Sequence, residues 1–131
     1  MSKSLIITFL IKGRETNVLK YLKLLDKFNN SNDILIICDP SAKKIKNKFK
    51  KSFKINYLKN KKKIFGMNNL FSAIYDAKLI VSKYVNCCYV DDDNFIFPQA
   101  IENCSNFLNN NKDYIGCQGL AFVYDKKKQK Y

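Results

Sequence analysis

The chain has 131 residues, 47% of them apolar and 14% aromatic, with 24 basic against 11 acidic side chains for a net charge of +13. That length allows a single domain, residues 1–131, and that apolar content excludes a disordered chain. Every basic residue except Arg14 is a lysine, and one arginine with no RNA-module aromatic signature argues against a specific nucleic-acid reader, since bidentate base and phosphate contacts favour arginine.

In chain order, SLIITFLI (4–11) is a continuous β-branched and aromatic run, the pattern of a strand buried on both faces. It is too short to span a membrane and has no small-residue cleavage site. Charged KGRE follows it, so it reads as a core strand rather than a signal peptide, and the expected location is cytoplasmic. Thr16 suits an N-cap, and Val18, Leu22, Leu25 and Phe28 then recur at helical spacing. DILIICD (33–39) reads as a second buried strand. Pro40 and Ser41 break it, and Ser41 is expected to cap a lysine-rich helix to about residue 50 with only Ile45 and Phe49 to bury. KINYL (54–58) is a short third strand. After the basic loop 59–63 and Gly66, a helix is expected to bury Leu70, Ile74, Ala77 and Val81.

YVNCCYV (84–90) reads as the fourth strand. Pro98 falls where a first helical turn accepts proline, Ile101, Cys104, Phe107 and Leu108 make that helix's apolar face, and the asparagines at 109–111 end it. YIGCQGLAFVY (114–124) reads as a fifth strand, bent at Gly116 or Gly119, and 125–131 form a basic tail. The five cysteines form no CxxC pair and the chain has no histidine, so no usual zinc spacing is visible. They are expected to be reduced core thiols.

Strands alternating with helices at this spacing predict an α/β fold, a mostly parallel sheet with helices on both faces. Ligands of such sheets bind at the strands' C-terminal edge, where strand order reverses. Asp39 ends the second strand, Asp91, Asp92 and Asp93 end the fourth, and the basic loop KGRET after the first shares that edge. Three adjacent carboxylates repel one another unless a cation sits among them. In extended backbone, residues i and i+2 face the same way, so Asp91 and Asp93 are expected to share an ion while Asp92 turns aside. Carboxylate oxygens suit Mg²⁺ or Mn²⁺, whose shells are commonly completed by water and phosphate oxygens, which predicts a phosphate-bearing ligand such as a nucleoside diphosphate. The competing reading is a solvated turn capping the helix at Pro98. The lysines, clustered at 43–54, 59–63 and 126–130, suit anionic ligands or a peripheral contact with membrane surfaces, or are simply a solvated face.

The stretch YVNCCYVDDDNFIFPQAI resembles the donor-binding segment of family 2-type glycosyltransferases: an apolar strand, Asp-x-Asp, apolar residues, a proline and a helix. SLIITFLIKGRETNVLKYLKLL, ILIICDPS and GMNNLFSAIYDAK are similar to other parts of that family's N-terminal half, so the resemblance covers roughly residues 4–124. It implies a Rossmann-like, GT-A-type three-layer sandwich, truncated relative to the family, whose members continue into an acceptor-binding half that carries the catalytic base of inverting enzymes. It implies a metal on Asp91 and Asp93, with Asp92 close by, gripping the diphosphate of a nucleotide sugar, UDP-linked by preference. Asp39 would read the base, Thr8 would meet the nucleoside, and Asn68 and Asn69 would lie under the donor. Asn68 stands where the family has arginine, which removes one phosphate contact. The implied reaction transfers the sugar to an acceptor hydroxyl on a glycan or lipid-linked molecule. The rival reading is a non-catalytic nucleotide- or nucleotide-sugar-binding module. A nucleotidyltransferase fits less well because the loop after the first strand holds one glycine, and the chain has neither a P-loop nor GxGxxG.

Overall fold

The computed structural model describes residues 3–46, 49, 53–64 and 66–118. Four strands, β1 (Leu5–Leu10), β2 (Asp33–Cys38), β3 (Ile55–Lys59) and β4 (Cys87–Tyr89), form one all-parallel sheet in the order β3-β2-β1-β4. The chain steps from β1 through β2 to β3 in one direction, then crosses to the far side of β1 to lay down β4. Strand order therefore reverses between β1 and β4.

The helices are α1 (Glu15–Lys27), α2 (Gly66–Asp76), the single turn α3 (Lys78–Val81) and α4 (Pro98–Asn110). All six residues of β1 and of β2 are buried, because helical layers cover both faces. Ile6, Leu10, Ile34, Ile36 and Cys38 pack against Val18, Leu22 and Leu25 of α1 and Ile101 of α4. The alternate residues Leu5, Ile7, Phe9, Leu35 and Ile37 pack against Ala73 of α2 and Ala77. This period-two division explains why both strands read as unbroken apolar runs. Each fully buried Leu or Ile contributes about 1.5–3 kcal/mol. The result is an α/β fold with helices on both faces of a parallel sheet, an arrangement compatible with a Rossmann-like sandwich.

Local chemistry adjusts several expected boundaries. α1 is capped not by Thr16 but by Arg14 in a non-helical conformation, without a side-chain cap. Glu15 instead turns back, its Oε2 accepting from Gly13 N at 2.8 Å. Gly13 sits at φ 87°, a left-handed conformation that explains the glycine there. At the other end Asn29 takes φ 52°, and Asn30 N reaches Leu25 O at 3.0 Å, closing the helix with an asparagine in the usual place of glycine.

The expected lysine-rich helix after Ser41 is absent from the described residues 42–46. Ser41 is not free to cap it: its N–H and hydroxyl both donate back to Asp39 Oδ1, at 3.0 and 2.6 Å. Ala42, Ile45 and Phe49 still pack against the α1-side core, from irregular backbone. Residues 114–118 are also irregular, with Ile115 fully exposed, and the remainder of the expected fifth strand lies outside the described residues. Of the five cysteines only Cys38 is buried; Cys87 and Cys117 are exposed, and Cys88 and Cys104 are intermediate. The expectation of core thiols therefore holds at one position. No described helix is long and apolar enough to cross a membrane.

Asp33 belongs to the opposite edge of the sheet. Its carboxylate accepts from Lys54 N at 3.1 Å, Tyr84 OH at 2.8 Å and Lys3 Nζ at 3.3 Å. Burial pushes its pKa up, but those donors more than reverse this and hold it below the usual value. It ties the start of β2 to its neighbours, away from the candidate site.

Candidate functional site

The C-terminal edge gathers the loop after β1, Asp39 after β2 and the acids after β4. β2 and β4 flank β1, so their ends stand two strand spacings apart, about 10 Å.

The acids do not continue the strand. Asn94 N donates to Asp91 O at 3.1 Å, which closes a turn over 91–94. In a turn the i, i+2 rule of extended backbone fails, and the carboxylates divide differently from the expectation. Asp91 is exposed and accepts from Tyr89 OH and, at 3.4 Å, from Asn94 Nδ2. The Tyr89 ring packs edge-on against Phe9 at 5.7 Å, so Asp91 lies toward the α2 side of the sheet. Asp92 and Asp93 instead converge on Arg14. Arg14 Nη2 donates to Asp93 Oδ2 at 2.9 Å, and Arg14 Nε stands 2.8 Å from Asp92 Oδ2. Asp92 is only 6% exposed. The Nε contact is an ion pair without hydrogen-bond alignment, which leaves Asp92 Oδ2 buried with no aligned donor. Burial pushes the Asp92 carboxyl up, Arg14 pulls it back, and Asp93 and Asp91 add to the upward push. The turn does not cap the following helix, whose N-cap is Phe97.

Asp39 is buried and fully engaged. Beyond its two bonds to Ser41, its Oδ2 accepts from Ile64 N at 3.2 Å. The Ser41 hydroxyl is the largest influence holding its pKa below the usual value. Asp39 thus pins the loop after β3 to the end of β2, and its carboxylate faces the α2 layer.

Two of the other expected positions, Thr8 and Asn69, are placed less favourably for a ligand. Thr8 is fully enclosed within β1, two residues short of the strand's end, with its hydroxyl unpartnered. Asn68 lies in the first turn of α2, and Asn69 Nδ2 donates to Lys63 O at 3.2 Å, tying α2 to the basic loop. Arg14 was visible in the sequence only as part of a basic loop at this edge; its pairing with the acids is new. The signal available for it was that the only arginine of a lysine-rich chain falls in that loop.

A cleft of about 520 Å³ runs between the loops after β1 and β2, whereas Asp92 and Asp93 line a separate, smaller one of about 170 Å³ against Asn17, Lys20 and Leu24 of α1. Lys12, Lys43, Lys44 and Lys46 line the larger cleft with Ser41 and Thr16, so its walls carry positive charge suited to an anion. Glu15 crosses it: its Oε1 accepts from Lys43 N at 3.3 Å. Hydrogen bonds from its own backbone N–H and then from that of Lys43 lower the Glu15 pKa.

The carboxylates suit a hard cation in one respect, since Asp92 Oδ2 is a buried acceptor without an aligned donor and Asp93 shares its cationic neighbour. Asp91 does not join them, and among the described residues no group of three potential ligands is arranged to hold a metal ion. Asp92 and Asp93 instead face one cation of the chain itself, the Arg14 guanidinium.

No protein-family model matches this chain, and comparison with characterised proteins returns no significant match. The class that fold and site define is an α/β protein whose parallel sheet gathers charged loops at its C-terminal edge.

Proposed function

We propose that this protein binds a nucleotide-diphosphate sugar at the C-terminal edge of its sheet and acts as the donor-binding part of a glycosyltransferase. One observation carries the reading: at the switch point a buried Asp92 oxygen with no aligned donor stands beside Arg14, on the same sheet edge as the lysine-lined cleft between the loops after β1 and β2. An anionic diphosphate and a cation between it and the carboxylates would satisfy both halves of that arrangement.

Asp92 and Asp93 would hold the divalent ion, Mn²⁺ or Mg²⁺, which supplies neutralisation of the charge that builds on a leaving diphosphate. Lys12, Lys43, Lys44 and Lys46 supply further positive charge along the cleft. Asp39 acts through position: by holding Ser41 and Ile64 it shapes the loops after β2 and β3 that border the donor. The acceptor, a glycan or lipid-linked hydroxyl, would attack the anomeric carbon while a general base takes its proton.

A nucleotide-binding module without transfer is the second reading. What favours it is that the described carboxylates at this edge are all engaged. Asp39 is held by Ser41 and Ile64, Asp91 by Tyr89 and Asn94, and Asp92 and Asp93 by Arg14. None is left as a base.

Calorimetry with UDP and GDP, with and without Mn²⁺, tests the donor site, and a donor-hydrolysis assay separates enzyme from binder. Binding that requires Mn²⁺ and disappears in Asp93→Ala is expected. Nucleotide binding that survives Asp93→Ala refutes the metal assignment, and no binding of either nucleotide refutes the donor site.

A further inference from the structure

Four of the five cysteines meet away from the acid turn, in a place the donor reading does not use. Cys87, Cys88, Cys104 and Cys117 line one cleft of about 350 Å³ between β4, α4 and the segment after α4. Cys87 and Cys88 are consecutive in a strand, where successive side chains point to opposite faces, so they are poorly placed to pair with each other. Cys104 and Cys117 are better placed. Cys117 Sγ donates to the Cys104 carbonyl oxygen at 3.6 Å, which brings its thiol against the residue that carries the Cys104 thiol. Cys117 is exposed and Cys104 half-buried, so an oxidant reaches the first and the second is at hand to resolve.

We propose that Cys104 and Cys117 form a reversible disulfide, with a small-molecule disulfide as oxidant, that staples the segment after α4 onto that helix. The Cys117 thiolate attacks one sulfur of the small disulfide, forming a mixed disulfide and releasing one thiolate. The Cys104 thiol gives its proton to solvent, its thiolate attacks the Cys117 sulfur, and the second small thiol leaves. Two protein thiols are oxidised and one small disulfide is reduced to two thiols, so atoms and electrons balance. Both attacks need a thiolate, and burial pushes the Cys104 thiol up, so the resolving step also speeds as pH rises. Its rate should rise about tenfold per pH unit while the thiol remains mostly protonated.

The test is incubation of the native chain with oxidised glutathione at mildly alkaline pH, alkylation of the remaining thiols, and peptide mapping without reductant. Alkylatable cysteines are expected to fall from five to three, with a linked pair of peptides carrying Cys104 and Cys117 that dithiothreitol separates. Cys104→Ser should stop at a glutathione adduct on Cys117, and the exposed substitution Cys117→Ser should leave Cys104 unlinked in a folded protein. A bond from either thiol to Cys88, or five cysteines still open to alkylation, overturns the proposal.

Discussion

Replacing Arg14 with alanine tests whether its guanidinium is the counter-ion of the acid turn. Its two contacts differ in worth. Asp93 is 58% exposed, and a pair in that setting contributes about 0–1 kcal/mol after screening and side-chain ordering. Asp92 is 6% exposed. Unit charges 4 Å apart attract by about 4 kcal/mol at an effective dielectric constant of 20. Arg14 is itself 40% exposed, so water removes much of that, and a net loss of about 1–3 kcal/mol is expected at pH 7. For a chain of this size that is a fall of about 3–6 °C in Tm per kcal/mol. The pH dependence has a definite sign. Burial already raises the Asp92 pKa and Arg14 opposes it, so alanine at 14 raises it further. A carboxyl whose folded pKa exceeds its unfolded one disfavours the fold as pH rises through the folded value. The deficit of Arg14→Ala should therefore be full at neutral pH and shrink as pH falls and Asp92 takes up its proton. Urea melts of wild type, Arg14→Ala, Asp92→Asn and the double variant close a cycle. A coupling of about 1–3 kcal/mol that diminishes in acid is expected, and one below about 0.5 kcal/mol at pH 7, the ordinary error of additivity, refutes the reasoning.

Asp39→Ala removes the acceptor for Ser41 and leaves the buried Ile64 N–H unpaired, a loss of about 2 kcal/mol by urea melt. Because its folded pKa is lowered, the contribution is present above the unfolded value and lost as pH falls through the folded one, so wild type and variant should converge below about pH 4. Thr8→Val replaces an enclosed hydroxyl that has no partner and should gain about 1 kcal/mol while leaving any nucleotide affinity unchanged; weakened binding by a folded Thr8→Val protein would restore Thr8 to the ligand site. Tyr84→Phe loses the 2.8 Å bond to Asp33 and about 1–2 kcal/mol. Burial and then Asp33 push the Tyr84 pKa up to about 12, so this tyrosine's stabilising share persists through neutral pH and is lost as pH rises toward that value, which an alkaline absorbance titration compared with Tyr84→Phe will follow.

The central strands were legible because both faces of β1 and β2 are covered, so only Thr8, in β1, and Asp33, at the start of β2, are polar in their apolar runs. The position of Asp39 and of the acids at one edge followed from the same pattern. The direction of each carboxylate did not. It depends on whether 91–94 extend or turn, and on Arg14, which lies 79 residues from Asp93 in sequence. The absent helix after Ser41 had a local cause that spacing alone does not reveal: the same hydroxyl that caps helices also bonds a carboxylate two residues back, and Asp39 was there to take it. The exposure of Cys87 and Cys117 was not legible, because spacing shows where a strand or segment runs but not which of its side chains the neighbouring elements cover.

The position of β4 bears on the order in which the molecule forms. Leu5–Ile7 must wait for Cys87–Tyr89 to return across about 80 residues of chain, whereas β1, α1 and β2 are neighbours in sequence and can assemble early. The acid turn hangs from this short, late-docking strand, so the pocket edge should be completed last and come undone first. A ligand spanning that turn and the loops after β1 and β2 would act as a clasp on the final step, adding about 2.7 kcal/mol at a concentration one hundred times its Kd.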